Sequence, residues 1–236
     1  MLIVPLISAL LSLVFAVMVF KQFRAKAKPH QLVWGFGFTF YFFATLSEFL
    51  FDLKGPNTIL VRTWYLFGAT LVPAYLGMGT LYLLAPRKIA HAVMALLFVG
   101  TVTMAIVVMT AHVDLSSFAP GDTLKAEGVL ADSARKSFYF SAPGAIILIG
   151  GAAYSAFVVW LKKTMPMRAV SNILIAIGGW FPVIGGGMER VFSNPDMLYL
   201  TELLGIIIIF AGFLVGSQVF ANVRIPLLSP KPETLS

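Results

Sequence analysis

The chain contains no cysteine. That absence excludes disulfides, thiolate metal sites and cysteine nucleophiles. Charge is almost as scarce, at 11% of 236 residues. A soluble domain of this size cannot cover its surface with so few charged groups. No HExxH pair, glycine-rich phosphate loop or serine motif with a base partner occurs, so no enzymatic activity and no catalytic residue are expected. Only three histidines are available, His30, His91 and His112, and they lie at different helix ends. No metal site and no haem are expected from so sparse a set. No predicted span carries a lysine in its interior, which excludes a retinal Schiff base. No cofactor is expected.

Apolar side chains dominate what is present: 59% of the residues are hydrophobic, and the mean hydropathy is +0.91. Apolar runs of about 20 residues recur along the chain, each long enough to cross a bilayer as a helix. Polar breaks at 21–31, 54–62, 85–88, 112–137, 162–168 and 192–196 predict spans over 2–20, 32–53, 63–84, 89–111, 138–161, 169–190 and 198–221. The expected fold is an all-α integral membrane bundle of seven transmembrane helices, one domain over 1–225 with a short tail over 226–236. It is a multi-pass protein of the inner or plasma membrane, and the lipid bilayer is its first partner. The opening run "MLIVPLISALLSLVFAVMVF" has no basic residue before its apolar core and no small-x-small cleavage site, so it reads as a retained helix.

The net charge of +7 points to topology rather than to nucleic acid. Eleven of the seventeen basic residues fall in loops one, three and five and in the C-terminal tail, which puts the N-terminus outside and the C-terminus in the cytoplasm. The long loop over 112–137 is then external and is expected to carry a short helix or hairpin over the bundle mouth. A shift of 137 residues pairs Lys26 with Lys163, Pro29 with Pro166, Asp52 with Glu189, Gly68 with Gly205 and Gly79 with Gly216. That faint repeat suits two three-helix units joined by helix four.

Charges inside this apolar chain mark the candidate site. Tyr41, Thr45, Glu48 and Asp52 are spaced to share one face of helix two. A carboxylate facing lipid costs roughly 2.5–3.5 kcal/mol even on the lenient insertion scale, so this face is expected to point into the bundle. Glu189 and Arg190 end helix six, and Glu202 lies a turn into helix seven on the face carrying Gly205, Gly212 and Gly216. Arg62 is expected to open helix three, with Trp64 and Tyr65 forming either an interfacial belt or a cavity wall. Two readings stand side by side: salt bridges that pin the helix ends, or an outward-facing polar pocket. In the second, the excess of carboxylates favours a neutral or cationic ligand, or a shared proton. Glu48 and Arg62 are expected to couple across helices two and three, with Glu202 close to both. Around Trp180, "GGWFPVIGGGMER" reads as close packing with a proline kink, or as a hinge lining a cavity.

The runs "WGFGFTFYFFATLSEFL" and "RTWYLFGATLVPAYLGMGTLYLLAP" resemble the seven-helix N-terminal sensor region of some bacterial histidine kinases. The resemblance implies an outward-facing sensory bundle, with Glu48, Arg62 and Pro73 at the matching positions. No kinase domain follows helix seven, so signal transduction is expected to need a separate partner protein or a homo-oligomer. The functional expectation is therefore a receptor-like prokaryotic membrane sensor or ligand-binding protein whose pocket lies between helices 2, 3, 6 and 7. The alternatives are a small solute transporter or proton-coupled carrier, and a structural subunit of a membrane complex. The candidate ligand-binding residues are Tyr41, Glu48, Asp52, Arg62, Tyr65, Trp180, Glu189 and Glu202.

Overall fold

The computed structural model describes residues 2–119, 121–162, 166–192 and 196–216, without the side chains of 162, 166, 186–192 and 196. The predicted tail and the predicted end of helix seven lie outside the described residues. Seven helices are long and apolar enough to cross a membrane: α1 (Ile3–Lys26), α2 (Pro29–Lys54), α3 (Thr58–Leu84), α4 (Arg87–Thr110), α5 (Phe138–Lys162), α6 (Pro166–Phe192) and α7 (Asp196–Gly216). No strand occurs among the described residues.

α1, α2, α3 and α6 are longer than hydropathy alone predicts, because their polar ends remain helical. α1 runs through the basic stretch to Lys26, whose charge complements the helix C-terminus. Ala27 then turns left-handed at φ 47°, donating its N–H to the Phe23 carbonyl. α2 begins directly on Pro29, where a missing N–H costs nothing. α3 starts at Thr58 rather than after Arg62, since Asn57 caps it by accepting from the Ile59 N–H at 2.8 Å. Arg62 thus lies in the second turn of α3.

α3 is not uniform. Tyr65–Leu71 is a π-helix between two α-helical segments, and Val72 donates to the Phe67 carbonyl five residues back. Pro73 follows at once. Proline has no N–H and crowds the carbonyl four residues earlier, so the wider turn absorbs the conflict without breaking the helix. The Thr70 hydroxyl donates to the Tyr65 carbonyl at 3.1 Å inside this segment.

α2 packs between α1 and α3, α6 packs between α5 and α7, and contacts of α3 with α5 and of α7 with α1 close the bundle. Two crossings bring backbones together. A Cβ on Gly144 would stand 2.3 Å from the Pro73 carbonyl oxygen, and one on Gly178 would stand 2.8 Å from that of Gly205. Glycine alone allows such approaches. Gly205 and Gly212 fill the packing role predicted for their face of α7, and α6 stays helical through Pro182 instead of unwinding. Phe15 and Phe38 stack at 3.7 Å between ring centroids in the core, with Phe210 and Phe213 against Phe15. α4 is peripheral, with only Ala90, Met104 and Val108 fully buried.

The loop over 112–137 forms a small hairpin. Asp114 N–H donates to Val129 at 2.8 Å, and Ala131 N–H donates to His112 at 3.1 Å. Leu124 and Val129 pack on Phe51 of α2 and Val61 of α3, so the loop seals the ends of those helices. Asp114 caps the turn Leu115–Ser117. The Ser116 hydroxyl and N–H, with the Ser117 hydroxyl, hold the Asp114 carboxyl below the usual aspartate range.

Candidate functional site

Helix periodicity turns the polar face of α2 inward. Tyr41, Thr45 and Glu48 are buried, Glu48 to 1% exposure, while Asp52 is half-buried near the helix end. Thr45 returns its hydroxyl to the Tyr41 carbonyl at 2.9 Å, so its polarity is spent on its own helix. Glu48 reaches outward to α3. Its Oε1 accepts from Trp64 Nε1 at 2.8 Å. Its Oε2 is buried as well.

The opposite wall is α7. Tyr41 donates its hydroxyl to the Glu202 carbonyl at 2.9 Å, which ties the middle of α2 to the first turns of α7. Among the described residues, Glu202 and Asp52 are the charged groups that act on Glu48, and the Glu202 carboxyl also shares a hydrogen bond with it. Tyr199, one turn before Glu202, is 1% exposed and donates to Asp52 Oδ1 at 3.3 Å. Three carboxyls and two tyrosines therefore gather where α2, α3 and α7 meet, with the Trp64 indole N–H aimed at the deepest of them.

Arg62 does not pair with Glu48. Its Nη2 donates to the Ala111 carbonyl at 2.7 Å, capping the exposed end of α4. The reason is angular: residues two apart on a helix point about 200° away from each other, so Arg62 and Trp64 cannot both face α2. Trp64 does, and Arg62 turns to α4. Arg62 Nε is buried without a hydrogen-bond partner among the described residues.

Two other candidates stand apart from this cluster. Tyr65 is buried in the packing around α3 and α4, and its hydroxyl oxygen accepts the Ser137 N–H at 3.1 Å. It anchors the start of α5. Trp180 is 51% exposed on the outer surface of α6, so its indole belongs to the lipid-facing side and not to a pocket. Glu189 is on α6, but its side chain lies outside the described residues.

Trp64, read from the sequence as belt or cavity wall, and Tyr199 are the site members missing from the candidate ligand-binding residues. A signal existed for Tyr199, which is three residues from Glu202 and hence on the same helix face. None existed for choosing Trp64 over Arg62. Two cavities stand away from the carboxyls. A small one of about 20 Å³ lies in the core among Phe15, Phe38, Leu76 and Ile209, and a larger one of about 450 Å³ opens between α3, α4 and α5. Among the described residues no three His, Asp or Glu side chains are arranged to hold a metal ion. No protein-family model, curated protein or solved structure matches the chain.

Proposed function

We propose that the protein is a membrane sensor or ligand-binding protein, and that Glu48 is the group its ligand meets. One observation carries the reading. Glu48 is 1% exposed, one oxygen is held by Trp64, and the carboxyl's further hydrogen-bond contact among the described residues is another acid, Glu202. Ionisable groups at such depth in a membrane bundle are functional by default. With Glu202 and Asp52 acting on the same carboxyl, the ligand is neutral or cationic.

The site is closed below, which favours sensing or binding over transport. Beneath the carboxyls the bundle is filled by Phe15, Phe38, Leu76 and Ile209, and the cavity among them is apolar and holds only about 20 Å³. A carrier needs polar groups along a path, and among the described residues lining this cavity the one polar group, the Trp34 indole N–H, is spent on the Leu76 carbonyl. In this reading the carboxyl cluster faces outside and the N-terminus is external, as the basic loops require. The same reading takes the two three-helix units as parallel repeats, which is supported by α2 sitting between α1 and α3 as α6 sits between α5 and α7, and by both middle helices opening on a proline of the matched pair.

The test is a thermal-shift screen of purified protein in detergent against monovalent cations, small organic ammonium ions and neutral polar solutes. A ligand that raises the unfolding temperature of the native protein, with no effect on Glu48→Gln, supports the reading. A stabilising ligand that acts equally on Glu48→Gln removes Glu48 from the site.

A further inference from the structure

The larger cavity is a side groove rather than a central chamber. α4 and α5 meet where Phe140 packs on Gly100, where a Cβ would come within 2.7 Å of the ring. Around this contact the surface is hollow, with a volume of about 450 Å³. Met78 forms its floor, Val93, Leu97 and Val99 one wall, and Tyr139 and Ile147 the other. The volume falls within the range of sites that bury a small molecule. No charged side chain lines it. From Tyr139 to Ile147 the groove follows α5 for about 12 Å at the helical rise of 1.5 Å per residue.

The groove has a direction. Its α5 wall begins just after the loop, next to Phe138 and Tyr139, which are 73% and 72% exposed. Exposed aromatics at a helix end mark the membrane–water boundary. Lys136 and Arg135 immediately precede them. Arg135 is engaged by Asp132, whereas Lys136 is exposed and has no ion-pair partner among the described residues. The α5 wall of this apolar trough thus starts three residues after Lys136, an exposed ammonium group with no ion-pair partner among the described residues.

We propose that this groove is a specific site for one anionic phospholipid, with an acyl chain lying against Val93, Leu97, Val99 and Ile147 and its phosphate at Lys136. Apolar walls on membrane-spanning helices take a hydrocarbon chain. Lys136, the basic residue of the pair Arg135–Lys136 that Asp132 does not engage, favours an anionic headgroup. The concave shape between α4 and α5 admits a flexible chain.

The experiment places the full chain in nanodiscs containing a trace of phosphatidylglycerol with a diazirine at mid-chain, followed by illumination and peptide mass spectrometry. Label is expected to concentrate on α4 and α5 peptides lining the groove, several-fold above the lipid-facing α1 peptide that carries Val14 and Val17. Val99→Trp, which fills the groove from a 62% exposed position, is expected to abolish that excess, while Val14→Trp on α1 leaves it intact. Lys136→Gln is expected to weaken the preference for phosphatidylglycerol over phosphatidylcholine roughly fivefold, the effect of one basic side chain near an anionic lipid surface. Label spread evenly over all lipid-facing helices would mean bulk lipid only and would overturn the proposal. So would label missing from the groove peptides while the other lipid-facing helices are labelled, which would mean that protein covers the groove.

Discussion

Glu48 and Trp64 form the pair on which the site is built. A hydrogen bond to a buried carboxyl is worth about 1.5–3 kcal/mol when the acceptor is charged and about 1 kcal/mol when it is not. Trp64→Phe keeps most of the ring and removes only the donor. It is expected to lower stability by about 1–3 kcal/mol, read from thermal unfolding by circular dichroism in detergent. The Trp64→Phe/Glu48→Gln double variant is expected to lose less than the sum of the two, because neither retains an orphaned partner. Arg62 is a contrasting case. Its guanidinium holds the Ala111 carbonyl and shares no hydrogen-bond partner with Glu48. Losses from Arg62→Gln and Glu48→Gln are therefore expected to add within about 0.5 kcal/mol. A strongly sub-additive cycle would restore the Glu48–Arg62 coupling that loop proximity first suggested.

Whole elements depend on backbone contacts more than on side-chain partners. α3 and α5 cross where Gly144 lies against the Pro73 carbonyl, so Gly144→Ala must push the helices apart. It is expected to destabilise the protein by about 1–3 kcal/mol, the usual cost of overpacking. Gly150 on the same helix has open space where its Cβ would go, and Gly150→Ala is expected to be neutral or mildly stabilising in the same assay. The loop offers a pH test. Asp114 is held below its ordinary pKa by Ser116 and Ser117, so the turn it caps is fully supported above the aspartate range near 3.9 and loses that support as pH falls through the depressed value. Corrected for intrinsic rates, amide exchange at Ser116 is expected to quicken in that acid window and to be independent of pH in Asp114→Asn. Unchanged protection in the native protein would show that the cap contributes nothing to loop order.

At the scale of the molecule, seven apolar helices and a charge-poor surface make a multi-pass membrane bundle, and the basic loops predict an external N-terminus. A reporter enzyme active only in the cytoplasm is expected to function when fused after Ser236 and to be silent when inserted at Gly121. Activity at Gly121 would reverse the orientation and move the carboxyl cluster to the cytoplasmic side. That reversal would contradict the proposed external ligand while leaving the groove between α4 and α5 intact.

The sequence by itself determined what depends on local chemistry. Runs of apolar residues dictate seven spans, because backbone groups in hydrocarbon must be satisfied within a helix. Spacing on α2 and α7 dictates that Glu48 and Glu202 lie on inward-facing or packing surfaces, and the glycines of α7 announce a close neighbour. Tertiary structure alone decided who meets whom. Charge alone made Arg62 the expected partner of Glu48; the rotation of α3 gives that place to Trp64, and that rotation depends on where Asn57 starts the helix and on the π-turn ahead of Pro73. Tyr65 and Trp180 looked like cavity residues because aromatic character is the same on either side of a helix. Which side faces the bundle follows from packing that no single span contains.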